Sequence, residues 1–345
     1  MRYVSIDDIE PGQLLGKTVY SANGTVLLSA GVQLTVYMIN TLNRIGVTML
    51  YIKDDNYADV EIPETLSAQT RKAIFRDMTD TFSAIRSGKD WSTKKISMSV
   101  DQLLKDVLDH KGILIHLNDI RTADNAQYIH ATNVCLLSST IGLNMGLNFN
   151  QLKELAIGGL LHDIGKTVPL PPGGSEGNLK YHHTWRGFEV LKQKRELSLL
   201  IAHTALQHHE KPDGTGIPRG LHNDDIHQYP KIVAVANRYD NLVGNGLAGL
   251  GKIMLPHEAC EKMMAASEHD LDRDILIEFN RIISVYPNGT AVRLSSKETG
   301  VVVRQHRGLP GRPVVRIVRG TGEDIVVKEV DLGQHTTLFI EAVLA

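Results

Sequence analysis

In Leu160-Leu161-His162-Asp163-Ile164-Gly165-Lys166 a histidine stands beside an aspartate at the end of a stretch in which Leu152, Leu155 and Leu160 recur at helical spacing. Adjacent side chains on a helix diverge by about 100°, so the pair can approach one metal ion while the second carboxylate oxygen stays free for another. Such a pair alone is usually a surface ion pair or a charged helix end. Three further segments change the reading: His130, in a helical stretch with Tyr128, Val134 and Leu137; His183, upstream of Gly187; and His208-His209, ahead of Glu210-Lys211-Pro212-Asp213-Gly214-Thr215-Gly216-Ile217-Pro218. Adjacent imidazoles suit neither a core nor a solvated face, because each must find partners for two ring nitrogens; metal ligation meets that need. Imidazole and carboxylate donors without thiolate favour zinc, iron or manganese, and more than four candidate ligands point to two ions rather than one structural zinc. Two ions can hold a hydroxide and clamp phosphate oxygens in line, which is the chemistry of phosphoester hydrolysis. Lys166, about one helical turn past Asp163, adds a positive charge for a non-bridging phosphate oxygen.

These residues need a scaffold, and the 345-residue chain is long enough for two to three domains. Residues 1–62 read as a small α+β unit of short strands and one helix near Leu34 to Leu42, with a turn at Ser21-Ala22-Asn23-Gly24. A charged, proline-broken stretch from Lys53 to Glu64 then leads into residues 63–285, which read as all-α. There Ile74, Met78, Phe82 and Ile85, and Val100, Leu103, Leu104 and Val107, keep helical spacing, and a helix starting at Asn150 carries the His-Asp pair. Pro171 to Gly174 and Gly244 to Gly251 read as loops between helices. Residues 286–345 read as a small β unit with strands Thr290 to Leu294, Gly300 to Val303, Pro313 to Val318 and Asp324 to Val327. The fold class is therefore mainly α, a helical bundle between a small α+β unit and a small β unit.

Composition narrows the function. Lys and Arg number 37 against 39 Asp and Glu, a formal charge of −2, so there is no general basic field to draw the chain to DNA. Two cysteines, Cys135 and Cys260, lie far apart and form neither a thiolate zinc knuckle nor a disulfide framework, which suits a reducing cytoplasm. Asp7, Asp8 and Glu10 occupy the place where a signal peptide needs an apolar core, and no run approaches the roughly 20 apolar residues of a bilayer span. A cytoplasmic protein without membrane attachment is expected. Of the fifteen histidines, His110, His116, His222, His227, His257, His269, His306 and His335 read as solvated or locally hydrogen-bonded, and His182 and His203 as packing beside the ligand segments.

His162-Asp163-Ile164-Gly165-Lys166, His208-His209-Glu210 and Asp213-Gly214-Thr215-Gly216-Ile217-Pro218-Arg219-Gly220-Leu221 together resemble the HD-GYP family, the cyclic di-GMP phosphodiesterase branch of the HD-domain metallohydrolases. The resemblance runs in order from about Asp124 to Phe279 and implies an HD-type helical bundle. It implies that His130, His162 and Asp163 hold one ion, with Asp163 bridging to a second held by His183, His208 and His209. Asp163 and Lys166 would carry the catalysis, Lys166 touching phosphate, while Asp213, Gly214, Gly216, Ile217 and Pro218 shape the signature loop. Iron or manganese is the implied metal, and Ala126, where relatives with a third ion carry glutamate, favours two ions. The family's aspartate ligand near the end of the domain is Asn237 here, a neutral donor that binds a dication more weakly. Its signature tyrosine is Ile217, and Asn241 to Gly246 stand where an Arg-Pro-Tyr-Arg-like run belongs. Asp240 and Glu210 read as residues that orient ligands or the loop rather than bind metal. The expected function is hydrolysis of cyclic di-GMP by a hydroxide held between two ions. The alternatives are a degenerate member that binds a nucleotide or a signalling protein with little turnover, and a phosphohydrolase of another nucleotide. A homodimer through the helices near Glu64 to Gly88 and Val100 to His110 is a further expectation.

Overall fold

The computed structural model describes the chain apart from residues 22–24, 118–120, 122–124, 176, 245–253, 321–325 and 345. The turn at Ala22 to Gly24 and most of the loop from Gly244 to Gly251 lie outside the described residues.

At the start of the chain β1 (Arg2–Ser5), β2 (Val19–Tyr20), β3 (Val26–Leu28), α1 (Val36–Arg44) and β4 (Met49–Ile52) form two antiparallel pairs, β1 with β4 and β2 with β3. The Thr35 side chain opens α1 by accepting from the Met38 amide, and Leu42 packs with Leu15, Leu34, Leu50 and Ile52.

The helical part comprises α2 (Ala68–Arg86), α3 (Thr93–Asp109), α4 (Ala126–Asn144), α5 (Phe149–Leu161), α6 (His183–Lys192), α7 (Leu199–Gln207), α8 (Gln228–Gly244), α9 (Pro256–Ala265) and α10 (Arg273–Ile282). Ser67, Ser92, Asn148 and Ser198 cap α2, α3, α5 and α7, each accepting a backbone N–H that the first turn leaves unpaired. The Asn148 amide donates in return to Gln151 Oε1, so α5 begins at Phe149 rather than at Asn150. Because α4 is buried nearly all round, through Ile129, Val134, Leu137 and Ile141, it forms the centre of the bundle; α5 and α8 pack on it and α7 on α5. Ile74, Met78, Phe82, Val100, Leu103, Leu104 and Val107 are buried as the periodicity required, each contributing about 1.5–3 kcal/mol. No helix among the described residues is long and apolar enough to cross a membrane.

The C-terminal strands β5 (Ala291–Leu294), β6 (Thr299–Arg304), β7 (Val314–Arg319), β8 (Val326–Asp331) and β9 (Ile340–Leu344) form an antiparallel sheet in the order β8-β7-β6-β5-β9 around Val292, Val302, Val315, Ile317 and Val330. The expected strand at Asp324 to Val327 begins outside the described residues; β8 runs from Val326 to Asp331. No expectation covered β9, which returns to pair with β5 after a turn-rich stretch.

The chain folds into two compact units. Met1–Glu64, Gly112–Ala123 and Arg281–Ala345 make one, and Thr65–Lys111 with Asp124–Asn280 make the other. The first unit thus joins the N-terminal strands to the C-terminal sheet, which the sequence reading kept apart as residues 1–62 and 286–345. Its cement is long-range: the Tyr3 amide donates to Gly289 O at 2.8 Å, Tyr57 and Val60 pack against Val301, and Arg316 grips both oxygens of Asp59 at 2.6 and 2.7 Å.

Candidate metal centre

Where α5 ends at Leu161 the chain continues through His162 and Asp163 into a tight 3-10 turn, Ile164–Thr167. The turn lies against the first turn of α6, and only glycine permits that approach. A Cβ on Gly165 would stand 1.9 Å from His183 O and 2.5 Å from Gly187 N, so the glycines of both segments let His183 reach Asp163.

His130 from α4, His162 and Asp163 after α5, His183 from α6, and His208 and His209 after α7 converge at one place. Asp163 Oδ2 lies 3.6 Å from His130 Nε2 and 3.4 Å from His162 Nε2, while Oδ1 lies 3.2 Å from His183 Nε2 and 3.6 Å from His208 Nε2. His130 and His162 approach Nε2 to Nε2 at 3.2 Å, and His183 approaches His208 and His209 in the same way at 3.4 and 3.1 Å. Two donor groups emerge that share the aspartate: Asp163, His183, His208 and His209, and His130, His162 and Asp163.

The far sides of the rings decide what these nitrogens carry. His162 Nδ1 sits 2.8 Å from Gly159 O and His208 Nδ1 2.9 Å from Ala205 O; a carbonyl only accepts, so both Nδ1 atoms hold the proton. His130 Nδ1 donates to Asp240 Oδ2 at 2.6 Å. In the neutral rings every one of these Nε2 atoms then points a lone pair inward, and the His130–His162 contact has no hydrogen to share. Burial pushes the His208 imidazole down to about 3 and His209 lower still, so both are neutral at pH 7. The Lys166 ammonium, 2.5 Å from Oδ2, favours the ionised carboxylate of Asp163. Asp163 Oδ1 is buried and accepts no hydrogen bond.

Facing lone pairs and an orphaned anionic oxygen are what a divalent ion repairs. Donors about 2.1 Å from one ion sit about 3.0 Å apart at right angles and about 3.4 Å apart in a tetrahedron, which the observed separations match. The residues therefore fit divalent metal, with His and Asp donors throughout.

Lys166 Nζ reaches back to Asp163 Oδ2 at 2.5 Å with half its side chain exposed. Asn237 is buried on α8, and its Oδ1 accepts from Asn241 Nδ2 at 2.7 Å. One turn on, Asp240 is fully buried; beyond His130 it binds Asn133 Nδ2 at 3.0 Å. Asn133 escaped the sequence reading, although its place three residues after His130 puts it on the same helix face. The buried carboxylate of Glu210 accepts from the amides of Arg219 at 2.8 Å and Leu221 at 2.9 Å, pinning the signature loop. Within that loop Asp213 Oδ1 accepts from the Thr215 amide and hydroxyl at 2.9 and 2.7 Å, and the Ile217 amide donates to His209 O at 3.1 Å. Gly214 takes φ +80°, and a Cβ on Gly216 would meet Lys211 N at 2.3 Å; neither these glycines nor Asp213, Ile217 and Pro218 belong to the two donor groups. His182 caps α6 through Thr184, with its ring 4.2 Å from that of His183. Of the other histidines, His110 Nδ1 lies 2.8 Å from Asp106 O and His306 Nε2 2.7 Å from Asp331 Oδ1. In the first unit His116 packs edge-on against the paired rings of Tyr3 and Tyr51, its Nδ1 3.2 Å from the Tyr51 hydroxyl.

Residues 115–275 match the family model of the HD domain, and residues 291–345 match that of a KOW domain associated with the HD domain. The cyclic di-GMP phosphodiesterase PA4108 of Pseudomonas aeruginosa is 32% identical over 272 residues, covering 76% of this chain and 63% of that protein. A cyclic di-GMP phosphodiesterase of Thermotoga maritima is 34% identical over 152 residues, 41% of this chain and 40% of that protein. The 3'3'-cGAMP-specific phosphodiesterase 2 of Vibrio cholerae is 32% identical over 123 residues, 33% of this chain and 23% of that protein. The chain thus spans less than two thirds of the length of each of these relatives. Residues 115–275 thus hold an HD domain, folded as a helical bundle that gathers the HD pair and four further histidines, and its motifs resemble those of the HD-GYP group.

Proposed function

We propose that the chain is a metal-dependent cyclic di-GMP phosphodiesterase whose centre takes two divalent ions, iron or manganese. The observation that carries this reading is Asp163, whose oxygens face separate imidazole groups, His130 with His162 and His183 with His208. Bound there, a pair of ions supplies the Lewis acidity that readies a water for attack on phosphorus and offsets charge in the transition state. The chain's own groups set the geometry. Asp240 and the carbonyls of Gly159 and Ala205 lock three rings with Nε2 inward, as such outer partners do in metal sites. Lys166, half exposed, swings from Asp163 to a non-bridging phosphate oxygen. Glu210 holds the Asp213 to Pro218 loop, whose Ile217 amide donates to His209 O.

The relatives named for cyclic di-GMP and for 3'3'-cGAMP support a cyclic dinucleotide as substrate class. Asn237, with its amide engaged by Asn241, and Ile217 favour a second reading, a nucleotide-binding signalling module with little turnover. The test is metal content and cyclic di-GMP turnover of anaerobically purified protein beside Asn237→Asp, with 3'3'-cGAMP as competing substrate. Two ions per chain with hydrolysis of cyclic di-GMP support the enzyme; a metal-poor, inert parent with a metal-loaded, active Asn237→Asp variant supports the binding module.

A further inference from the structure

Asp163 shares its charge unevenly between the two halves of the centre. Three imidazoles, His183, His208 and His209, gather on the Oδ1 side, and Oδ1 is buried without a hydrogen bond. Two imidazoles, His130 and His162, gather on the Oδ2 side, and there the Lys166 ammonium lies 2.5 Å from the oxygen, closer than either ring. On α8 the Asp240 carboxylate acts through His130 and is not itself a donor of that half. Asp240 gives one oxygen to His130 Nδ1 at 2.6 Å and the other to Asn133 at 3.0 Å. Asn237, three residues earlier on the same helix face, is neutral, and its oxygen already accepts from Asn241 at 2.7 Å.

Resting on the metal-hydrolase reading above, we propose that the two ions bind in order and with unequal affinity. The half formed by Asp163, His183, His208 and His209 fills first. The half formed by Asp163, His130 and His162 fills only at higher metal concentration, because Lys166 competes for Oδ2 and Asn237 supplies no charge. The divalent ion available then sets the fraction of chains that carry both ions, which makes the second ion a metal-responsive control on the site.

The test is anaerobic titration of the metal-stripped full chain with Mn2+, read by calorimetry and by electron paramagnetic resonance of free and coupled Mn2+. Two classes of site separated by about tenfold or more are expected, the scale on which outer ligand partners alone move metal affinity. His183→Ala removes the tight class and His130→Ala only the weak one, so one variant that fails to fold leaves the other to decide. Lys166→Met and Asn237→Asp each tighten the weak class by about tenfold and leave the tight class in place. Two ions bound with a single affinity, or a weak class that responds to neither substitution, overturn the unequal order while leaving the hydrolase reading intact. A folded chain that binds no Mn2+ overturns both.

Discussion

Asp240→Asn keeps the shape of a fully buried side chain but removes its charge. The carboxylate accepts from His130 Nδ1 at 2.6 Å and from Asn133 Nδ2 at 3.0 Å, whereas an amide offers one acceptor and turns its own N–H groups toward a donor. One buried donor is left unpaired, which costs about 1–3 kcal/mol of folding stability. The His130 ring also loses the anion that fixes its tautomer and raises its basicity, so affinity in the His130 half should fall about 10–100-fold, or about 1.4–2.7 kcal/mol. Calorimetric Mn2+ titration and thermal melting of parent and variant measure the two effects separately. The expected variant melts lower and holds its first ion as the parent does, with the second displaced to higher concentration. Unchanged binding of both ions would refute the view that Asp240 acts on the metal through His130; lost stability with unchanged binding would leave it a purely structural residue.

Gly165→Ala puts a methyl 1.9 Å from His183 O, so α6 must shift, at a cost of about 1–3 kcal/mol or more; lower melting and loss of one ion are expected, by calorimetry and elemental analysis. Burial pushes His208 down to about 3, and burial with nearby Lys17 does the same to His116, so the unfolded chain binds more protons than the folded one between about pH 3 and pH 6.5. Stability of the metal-stripped chain therefore falls as pH drops below 6.5, by about 1.4 kcal/mol per pH unit for each group, and denaturant melts at pH 6.5 and 5 should show the decline. Arg316→Ala releases Asp59 and Glu329; because Asp59 is largely exposed the loss is only about 1 kcal/mol, expressed as earlier urea unfolding.

The helices were legible because their signals are local. Ile74, Met78 and Phe82 keep the helical period along one stretch, and the burial they demand is met. The His-Asp pair was legible for the same reason, as adjacency on a helix implies divergent ligands, and the other histidines entered through motifs with fixed spacing. What escaped depends on residues distant in the chain. Nothing near Asp59 announces Arg316, and nothing near Tyr3 announces Gly289, so the union of the two ends into one unit stayed hidden. Strand β9 pairs back to β5 across the whole C-terminal segment, beyond the reach of alternation in either strand. Asn133 lies at helical spacing from His130, but only the approach of α8 gives it Asp240 to bind. Gly165 was read as part of a motif, and its physical reason, the backbone of His183 pressed against it, is visible only once α6 is in place.

Asp163 is the residue on which both halves of the centre depend, so the most direct measurement is cyclic di-GMP hydrolysis by the metal-loaded chain beside Asp163→Asn, with metal counted in both samples. The expected parent carries two ions and converts cyclic di-GMP to a linear dinucleotide or GMP, while Asp163→Asn, folded by circular dichroism, loses metal and turnover together. A parent loaded with two ions that leaves cyclic di-GMP intact, or a variant that hydrolyses it as fast as the parent, would contradict the proposed role of the centre.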